Sequence, residues 1–170
     1  MNQSLGFADT ARFRDAMSRL ASGVSVVTSI DSDGDPFGLT ATAVCSVSLD
    51  PPMVLACLAT SSATHDAVAA ANRFAINFLA RDQADLARRF STSATDKFDD
   101  VDWLEGMTGC PVFPGVLAAC ECELDRSVSA GDHTVFLGRV VTIRTDDEHS
   151  GDPLVYFRGA YGISTEIDGS

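Results

Sequence analysis

Apolar and polar positions along this chain fall into short runs and alternations more often than into a helical period. Val24–Ile30 (VSVVTSI) predicts a strand, and the cluster Asp31-Ser32-Asp33-Gly34-Asp35 after it predicts a turn. The stretch from Pro36 to Asp66 is rich in Thr, Ser, Ala, Val and Cys and almost free of charge. Only Asp50-Pro51-Pro52 interrupts it, which predicts two strands joined by a rigid turn, the first in a hairpin with Val24–Ile30. Met53–Leu58 is continuously apolar and reads as a strand buried on both faces. Phe74–Leu79 reads as a further short strand. In Ala118–Asp125, Ala118, Cys120, Cys122 and Leu124 alternate with Glu121, Glu123 and Asp125, predicting one buried face and one carboxylate-lined outer face. Thr134–Ile143 places Val135, Leu137, Val141 and Ile143 on one face, and Leu154–Phe157 is the last expected strand.

Helical spacing is confined to three segments. Asp9 can cap a helix running to about Ser22, with Gly23 to end it. Its stripe Phe13, Met17, Leu20 is expected to lie on another part of the protein, with Arg12, Asp15 and Arg19 facing water. An Ala-rich helix follows over His65–Asn72, and Asp82 can cap a third over Gln83–Phe90. Ser91–Pro114 holds no period and reads as a long functional loop or lid. Six or seven strands joined by hairpin-like turns, with two or three short helices, predict a mainly antiparallel β-barrel with peripheral helices. One domain over residues 1–170 is expected, with its core at about 10–163.

Charge and cysteine usage narrow the function. The formal charge is −12, from 24 acidic and 12 basic residues, and Lys97 is the only lysine. A chain this acidic lacks the basic footprint for nonspecific binding to nucleic acid or to anionic membranes. No apolar run approaches the ~20 residues that span a bilayer, and the N-terminal stretch has no apolar core of a secretory signal. Cys45, Cys57, Cys110, Cys120 and Cys122 form no Cys-x-x-Cys pair, and three of them lie in apolar runs. A reducing cytoplasm without disulfides is the expectation. Cys110, Cys120, Cys122 and His133 could be nominated as metal ligands, but their spacing favours core cysteines.

No Gly-x-Gly-x-x-Gly follows a strand, and neither a Walker A sequence nor a Gly-x-Ser-x-Gly elbow occurs. What the chain does offer is Thr60-Ser61-Ser62-Ala63-Thr64, a hydroxyl cluster at the start of the Ala-rich helix. Such a helix mouth can hold an anion, and small residues on the preceding strands let a flat ligand approach the backbone. Pro36–Asp66 therefore reads as the seat of a phosphorylated planar cofactor, although simple helix capping accounts equally for Ser61–Thr64. His133, in Gly131-Asp132-His133-Thr134, opens a strand and reads either as a solvated turn residue or as a working one. Arg158 and Tyr161 sit past the last strand beside Gly159 and Gly162, and Arg88, Arg89 and Lys97 are the cations that could complete a phosphate site.

The ordered set FRDAMSRLASGVSVVTS, GLTATAVCSVSLDPPMVL, NRFAINFL, LARRFS, AGDHTVFLGRV and PLVYFRGAY resembles the short-chain flavin reductases, the reductase components of two-component flavin-dependent monooxygenases. The resemblance runs from about Phe13 to Tyr161. It implies a split β-barrel that binds FMN or FAD, a homodimer, and hydride transfer from NADH (NADPH being the alternative) to flavin, with reduced flavin passed to a separate monooxygenase. By the same resemblance, Thr40, Ala41, Thr42, Ala43, Ser46, Val47 and Ser48 would line the isoalloxazine and ribityl chain. Ser62 and Thr64 would take the flavin phosphate, helped by Arg89, with Phe90 packing nearby. His133 would stand beside the nicotinamide, with Arg158 and Tyr161 in the same pocket. Thr42 stands where the family commonly has Asn. The other readings considered are a non-catalytic flavin carrier or sensor and an oxidase of the pyridoxine-phosphate type.

Overall fold

The computed structural model describes residues 8–145 and 151–164. Its elements in chain order are α1 (Thr10–Ser18), β1 (Ser22–Gly23), β2 (Ser25–Ile30), β3 (Pro36–Ala41), β4 (Val44–Leu49), β5 (Pro52–Ala59), α2 (Ala63–Ala71), β6 (Arg73–Phe78), α3 (Ala84–Phe90), β7 (Leu104–Glu105), β8 (Pro111–Val112), β9 (Ala118–Ala130), β10 (His133–Thr145), β11 (Leu154–Phe157) and β12 (Ala160–Ile163). Seven strands form one sheet in the order β3-β2-β6-β9-β10-β5-β4, and every pairing in it is antiparallel. A second sheet, β1-β11-β12, and the small pair β7-β8 complete the strands. This is the mainly antiparallel, barrel-like architecture that the hairpin pattern predicts.

Two apolar clusters fill the interior. Val27, Ala56, Leu58, Val68, Phe74, Ile76 and Phe136 pack α2 against the concave face of the large sheet. Val26, Leu79, Phe90, Val112, Phe113 and Leu154 join α3 and the β7-β8 segment to its other half. Between them stands Asn77, fully buried on β6. Its Nδ2 donates to the carbonyls of Val26 and Pro111, and its Oδ1 accepts the Phe113 N–H at 3.0 Å. The buried Thr28 hydroxyl also donates to the Pro111 carbonyl, at 2.6 Å. A buried amide with both ends satisfied is a specific clamp, because leaving either end open costs about 1–3 kcal/mol.

Several boundaries differ from the sequence expectation, each for a physical reason. Helix α1 is capped by Asp9, which accepts the Arg12 N–H, but it ends at Ser18 rather than Ser22. The reason is that Ser22 and Gly23 pair with Tyr156 and Val155 of β11 as an added strand. Its stripe is uncovered in this chain, with Phe13, Met17 and Leu20 at 58, 47 and 60% exposure. Strand β5 alternates instead of being buried on both faces: Val54, Ala56 and Leu58 point inward, while Met53, Leu55 and Cys57 are only half-buried. Asp82 does not cap α3; Gln83 holds that position, and its side chain accepts from Ala80 N–H and donates to the Pro114 carbonyl.

Glu121 is the largest departure. Alternation places it on a solvated face with Glu123 and Asp125, yet it is fully buried. The 106–110 segment folds over that face of β9, and Thr108 donates to Glu121 Oε2 from both its N–H (2.7 Å) and its hydroxyl (2.9 Å). On β10 the buried row is Thr134, Phe136 and Gly138, and the pairing with β9 shifts register at Leu137/Gly138 and at Val140/Thr142. Val135, Leu137, Val141 and Ile143 do share a face, but it is the outer one. The expected long loop at 91–114 contains the β7-β8 hairpin. The sequence also predicts an acidic loop over Asp146–Asp152, of which only the last two residues lie within the described residues.

Gly138 illustrates how tightly the core is closed. A Cβ added there would stand 2.5 Å from the Phe74 ring and 2.8 Å from Cys122 Cβ. Gly138→Ala is expected to destabilise the fold by about 1–3 kcal/mol, the range for overpacking a filled core. Thermal unfolding checks it, and a melting temperature equal to that of the unchanged protein would contradict the packing.

Candidate functional site

A cavity of about 880 Å³ opens between α2, β3 and the 91–99 segment. One wall is the Ser61–Thr64 mouth of α2; Phe37–Thr40 of β3, with Phe90 and Phe98, form its apolar floor; Ser91–Thr95 and Lys97 face the mouth. Each wall follows from local sequence. Ser62 is the N-cap of α2, and its Oγ accepts the Thr64 N–H at 3.2 Å, leaving its own O–H to donate. Thr64 is 3% exposed and lines the cavity. Gly38 lets the floor close: a Cβ there would lie 2.7 Å from the Phe90 ring. Phe90 in turn meets Phe98 and Phe113 edge-on, at ring-centroid distances of 4.9 and 5.1 Å.

The 91–99 wall is held by cations turned toward the backbone. Arg89 donates from Nε to the Lys97 carbonyl at 2.6 Å, and from its terminal nitrogen to the carbonyls of Asp96 and Asp99. Lys97 Nζ donates to the Gly38 carbonyl at 3.2 Å, and partial burial pulls its ammonium below the usual lysine range. Arg89 thus shapes the cavity by gripping the loop, whereas the resemblance assigned it to a phosphate.

His133 is the first residue of β10, opposite Ala59 at the end of β5, three residues before Ser62. Its Nδ1 lies 2.8 Å from Asp132 Oδ1 and its side chain is 46% exposed. The hydrogen bond from His133, and then its charge, hold the Asp132 carboxyl below the usual range. Thr60 N–H and Oγ1 both donate to the Asp132 carbonyl, at 3.0 and 3.1 Å, so the turn carrying His133 is tied to the chain entering the hydroxyl mouth.

Of the residues nominated from sequence, Thr40, Ser62, Thr64 and Phe90 line the cavity together. The Thr40 hydroxyl is already spent on the Ala87 carbonyl at 2.6 Å, so toward a ligand it offers its acceptor side. Ala41 is buried in β3, and Thr42, Ala43, Ser46, Val47 and Ser48 continue onto β4, at most half-buried in this chain. Arg158 and Tyr161 belong to the other sheet and do not line the cavity. Arg158 sits at a left-handed φ of 50° in the β11-β12 turn, its guanidinium over Phe157. Tyr161 packs edge-on against Tyr156 beneath Arg88, and burial together with Tyr156 pushes its phenol pKa up.

Sequence reasoning missed Gly38 and Phe98. A glycine inside an otherwise apolar strand was the available sign of close approach; nothing in the sequence of the 91–99 segment marks Phe98. Among the described residues no group of His, Cys, Asp or Glu could hold a metal ion. The five cysteines are free thiols, and burial raises the pKa of Cys57, Cys110, Cys120 and Cys122, which makes them poor nucleophiles.

The donor set fits the phosphate end of a flavin: hydroxyls of Ser61, Ser62 and Thr64 at the positive end of α2, with an apolar floor running toward the small-residue surface of β3 and β4. Arg89→Lys, which keeps the charge but removes the fork, is expected to speed limited proteolysis within 91–99 about tenfold, equivalent to the loss of ~1.4 kcal/mol of loop closure. Equal cleavage rates would mean that the loop is held by its aromatic contacts alone.

Comparison with known proteins points the same way. A family model for the flavin reductase like domain matches residues 17–164. FMN reductase (NADH) SmoA of Agrobacterium fabrum is 42% identical over 157 residues, covering 92% of this chain and 87% of its own length. The solved structure of the Streptomyces globisporus NADH:FAD oxidoreductase SgcE6, in complex with NAD and FAD fragments, superposes with a TM-score of 0.87 at 34% identity, covering 95% of this chain and 96% of that one. Nitrilotriacetate monooxygenase component B of Mycobacterium thermoresistibile gives 0.89 at 31%, covering 94% and 89%. Against a probable flavin reductase of Rhizobium meliloti, 44% identical over 90% of this chain, the chain spans only 48% of the relative's length. With the model match covering most of its length and its hydroxyl-lined cavity in place, this chain belongs to the flavin reductase-like family.

Proposed function

We propose that this chain is an NADH:flavin oxidoreductase that supplies reduced FMN or FAD to a separate monooxygenase component. The observation that carries the reading is the junction of two features: a hydroxyl-lined cavity suited to a flavin phosphate, and a partly exposed imidazole on a turn tied to the mouth of that cavity. When bound, the flavin supplies the redox chemistry, taking a hydride from the nicotinamide. The protein's work is positional. Ser62 and Thr64 hold the anionic end, Phe90 and Phe98 keep water from the floor, and the β3-β4 surface leaves room for a planar ring.

His133 has a defined part in this arrangement. Asp132 is an ionised acceptor, so His133 Nδ1 carries the proton toward it, and in the neutral ring Nε2 is left as an acceptor on a half-exposed side chain. A nicotinamide carboxamide N–H can donate to that nitrogen. The role is orientation rather than proton removal, consistent with a reaction that needs no strong base. A passive flavin carrier would have no use for this second polar site, and a pyridoxine-phosphate oxidase would have no use for nicotinamide.

The homodimer belongs to the same reading. In the single chain Val47 and Leu49 are exposed on β4, among the small residues assigned to the isoalloxazine, and the α1 stripe is exposed as well. A second copy covering them would bury the ring's surroundings and bring Arg158 and Tyr161 toward a partner's site. We also place the protein in the cytoplasm, where its free thiols persist and NADH is at hand. No helix among the described residues is long and apolar enough to cross a membrane.

Two experiments check these statements. Purified protein should oxidise NADH, followed at 340 nm, only when FMN or FAD is added, and His133→Ala should raise the KM for NADH or lower kcat about ten- to a hundredfold, ~1.4–2.7 kcal/mol. Saturable flavin binding without turnover would refute the reductase. For assembly, Leu49→Asp is expected to convert a dimer to monomers in sedimentation and to weaken flavin binding with it; an unchanged mass would place the interface elsewhere.

A further inference from the structure

His65, on the first turn of α2, has a side chain only 16% exposed and both ring nitrogens engaged. Nδ1 lies 2.9 Å from Asp66 Oδ1, Nε2 lies 2.9 Å from Thr134 Oγ1, and the ring packs edge-on against Phe136 at 5.2 Å. A carboxylate accepts only, so Nδ1 carries the hydrogen toward Asp66. In the neutral ring Nε2 then accepts the hydrogen of the Thr134 hydroxyl, which is buried with its residue. Thr134 directly follows His133 on β10. The helix that begins at Ser62 is therefore bonded, side chain to side chain, to the strand that begins at His133.

We infer that His65 is a positioning residue: through Thr134 it fixes where the His133 imidazole stands relative to the Ser62–Thr64 mouth, and so sets the fit of nicotinamide against flavin. This rests on the reading that His133 meets the nicotinamide. The ladders to β5 and β9 set the backbone at His133 and Thr134, and the tie from Thr60 to the Asp132 carbonyl anchors the turn before them. What the His65 bond adds is a side-chain lock between α2 and β10, which sets the separation of the Ser62–Thr64 mouth from the strand that carries His133. The His65 bond also explains why a polar residue occupies position 134 in the buried row that continues with Phe136 and Gly138. As an Asp66–His65–Thr134 chain the arrangement has the order of a nucleophilic triad, but Thr134 is 8% exposed and is closed off from substrate. Its work is structural precision at a distance from the chemistry.

The test uses Thr134→Val, which keeps the volume and β-branching and removes only the hydroxyl, with Thr134→Ser as the variant that restores it. Thr134→Val is expected to raise the KM for NADH about three- to tenfold, the span of one neutral hydrogen bond, with kcat within about twofold. The FMN dissociation constant, read by fluorescence quenching, should stay unchanged, and Thr134→Ser should return the KM to that of the unchanged protein. Apart from activity, imidazole nitrogen NMR of the chain's three histidines should show the signals of both His65 and His133 moving in Thr134→Val. His133→Ala is measured alongside. If His133→Ala raises the NADH KM while Thr134→Val does not, or only the His65 signals move, the coupling is wrong and the placement of His133 stands. A fall in FMN affinity equal to the loss for NADH would reduce Thr134 to a packing residue and overturn the inference. A silent His133→Ala would remove the nicotinamide placement, and the inference with it.

Discussion

The side chain of Asn77 is the constraint on which the cavity depends. Buried in an inner strand of the large sheet, it must find partners for both ends of its amide, and it finds them on β2 and in the segment 111–113. That segment has little regular structure of its own, only the two-residue strand β8. Asn77, with Thr28, fastens it to the barrel and sets Phe113 under Phe90 and Phe98. The apolar floor of the cavity is thus supported by a polar bond in the core. Removing the amide would leave the buried Phe113 N–H unpaired and would loosen three aromatic rings with it.

Above this floor, the molecule divides its labour between rigid strands and held loops. The hydroxyl mouth belongs to a helix whose N-cap itself lines the cavity, so forming the helix and forming that wall are one event. The wall opposite is a loop without a period, ordered by Arg89 and Lys97 from either side. The nominated residues on β4 lie on a surface largely open to water in a single chain, which is where the case for a second copy arises.

How much of this was legible in the sequence can be judged residue by residue. Strands came through because their small-residue alternation and turn clusters are local signals; the Asp31 turn appears as expected, its carboxylate accepting the N–H groups of Asp33 and Asp35. The hydroxyl-lined mouth of α2 was legible for the same reason, since a cap and a helix start lie within five residues. Glu121 was misplaced because its partner, Thr108, arrives from a loop whose path no period announces. Leu20 and Phe13 were expected to be covered because they are apolar at helical spacing, and periodicity cannot say whether the cover comes from the same chain. His65 escaped notice because its meaning lies in Thr134, 69 residues away. The family resemblance supplied roles that spacing could not.

Arg89 holds its loop through the carbonyls of residues 96, 97 and 99, and a carbonyl is the same whatever side chain it accompanies. The grip is therefore indifferent to sequence at the positions it grips. Selection can rewrite the side chains at 96 and 99, which face the solvent edge of the site, without undoing the wall they belong to. The loop is a place where divergence costs little structure, so differences between reductases that serve different flavins or oxygenases can accumulate there while the barrel beneath stays the same.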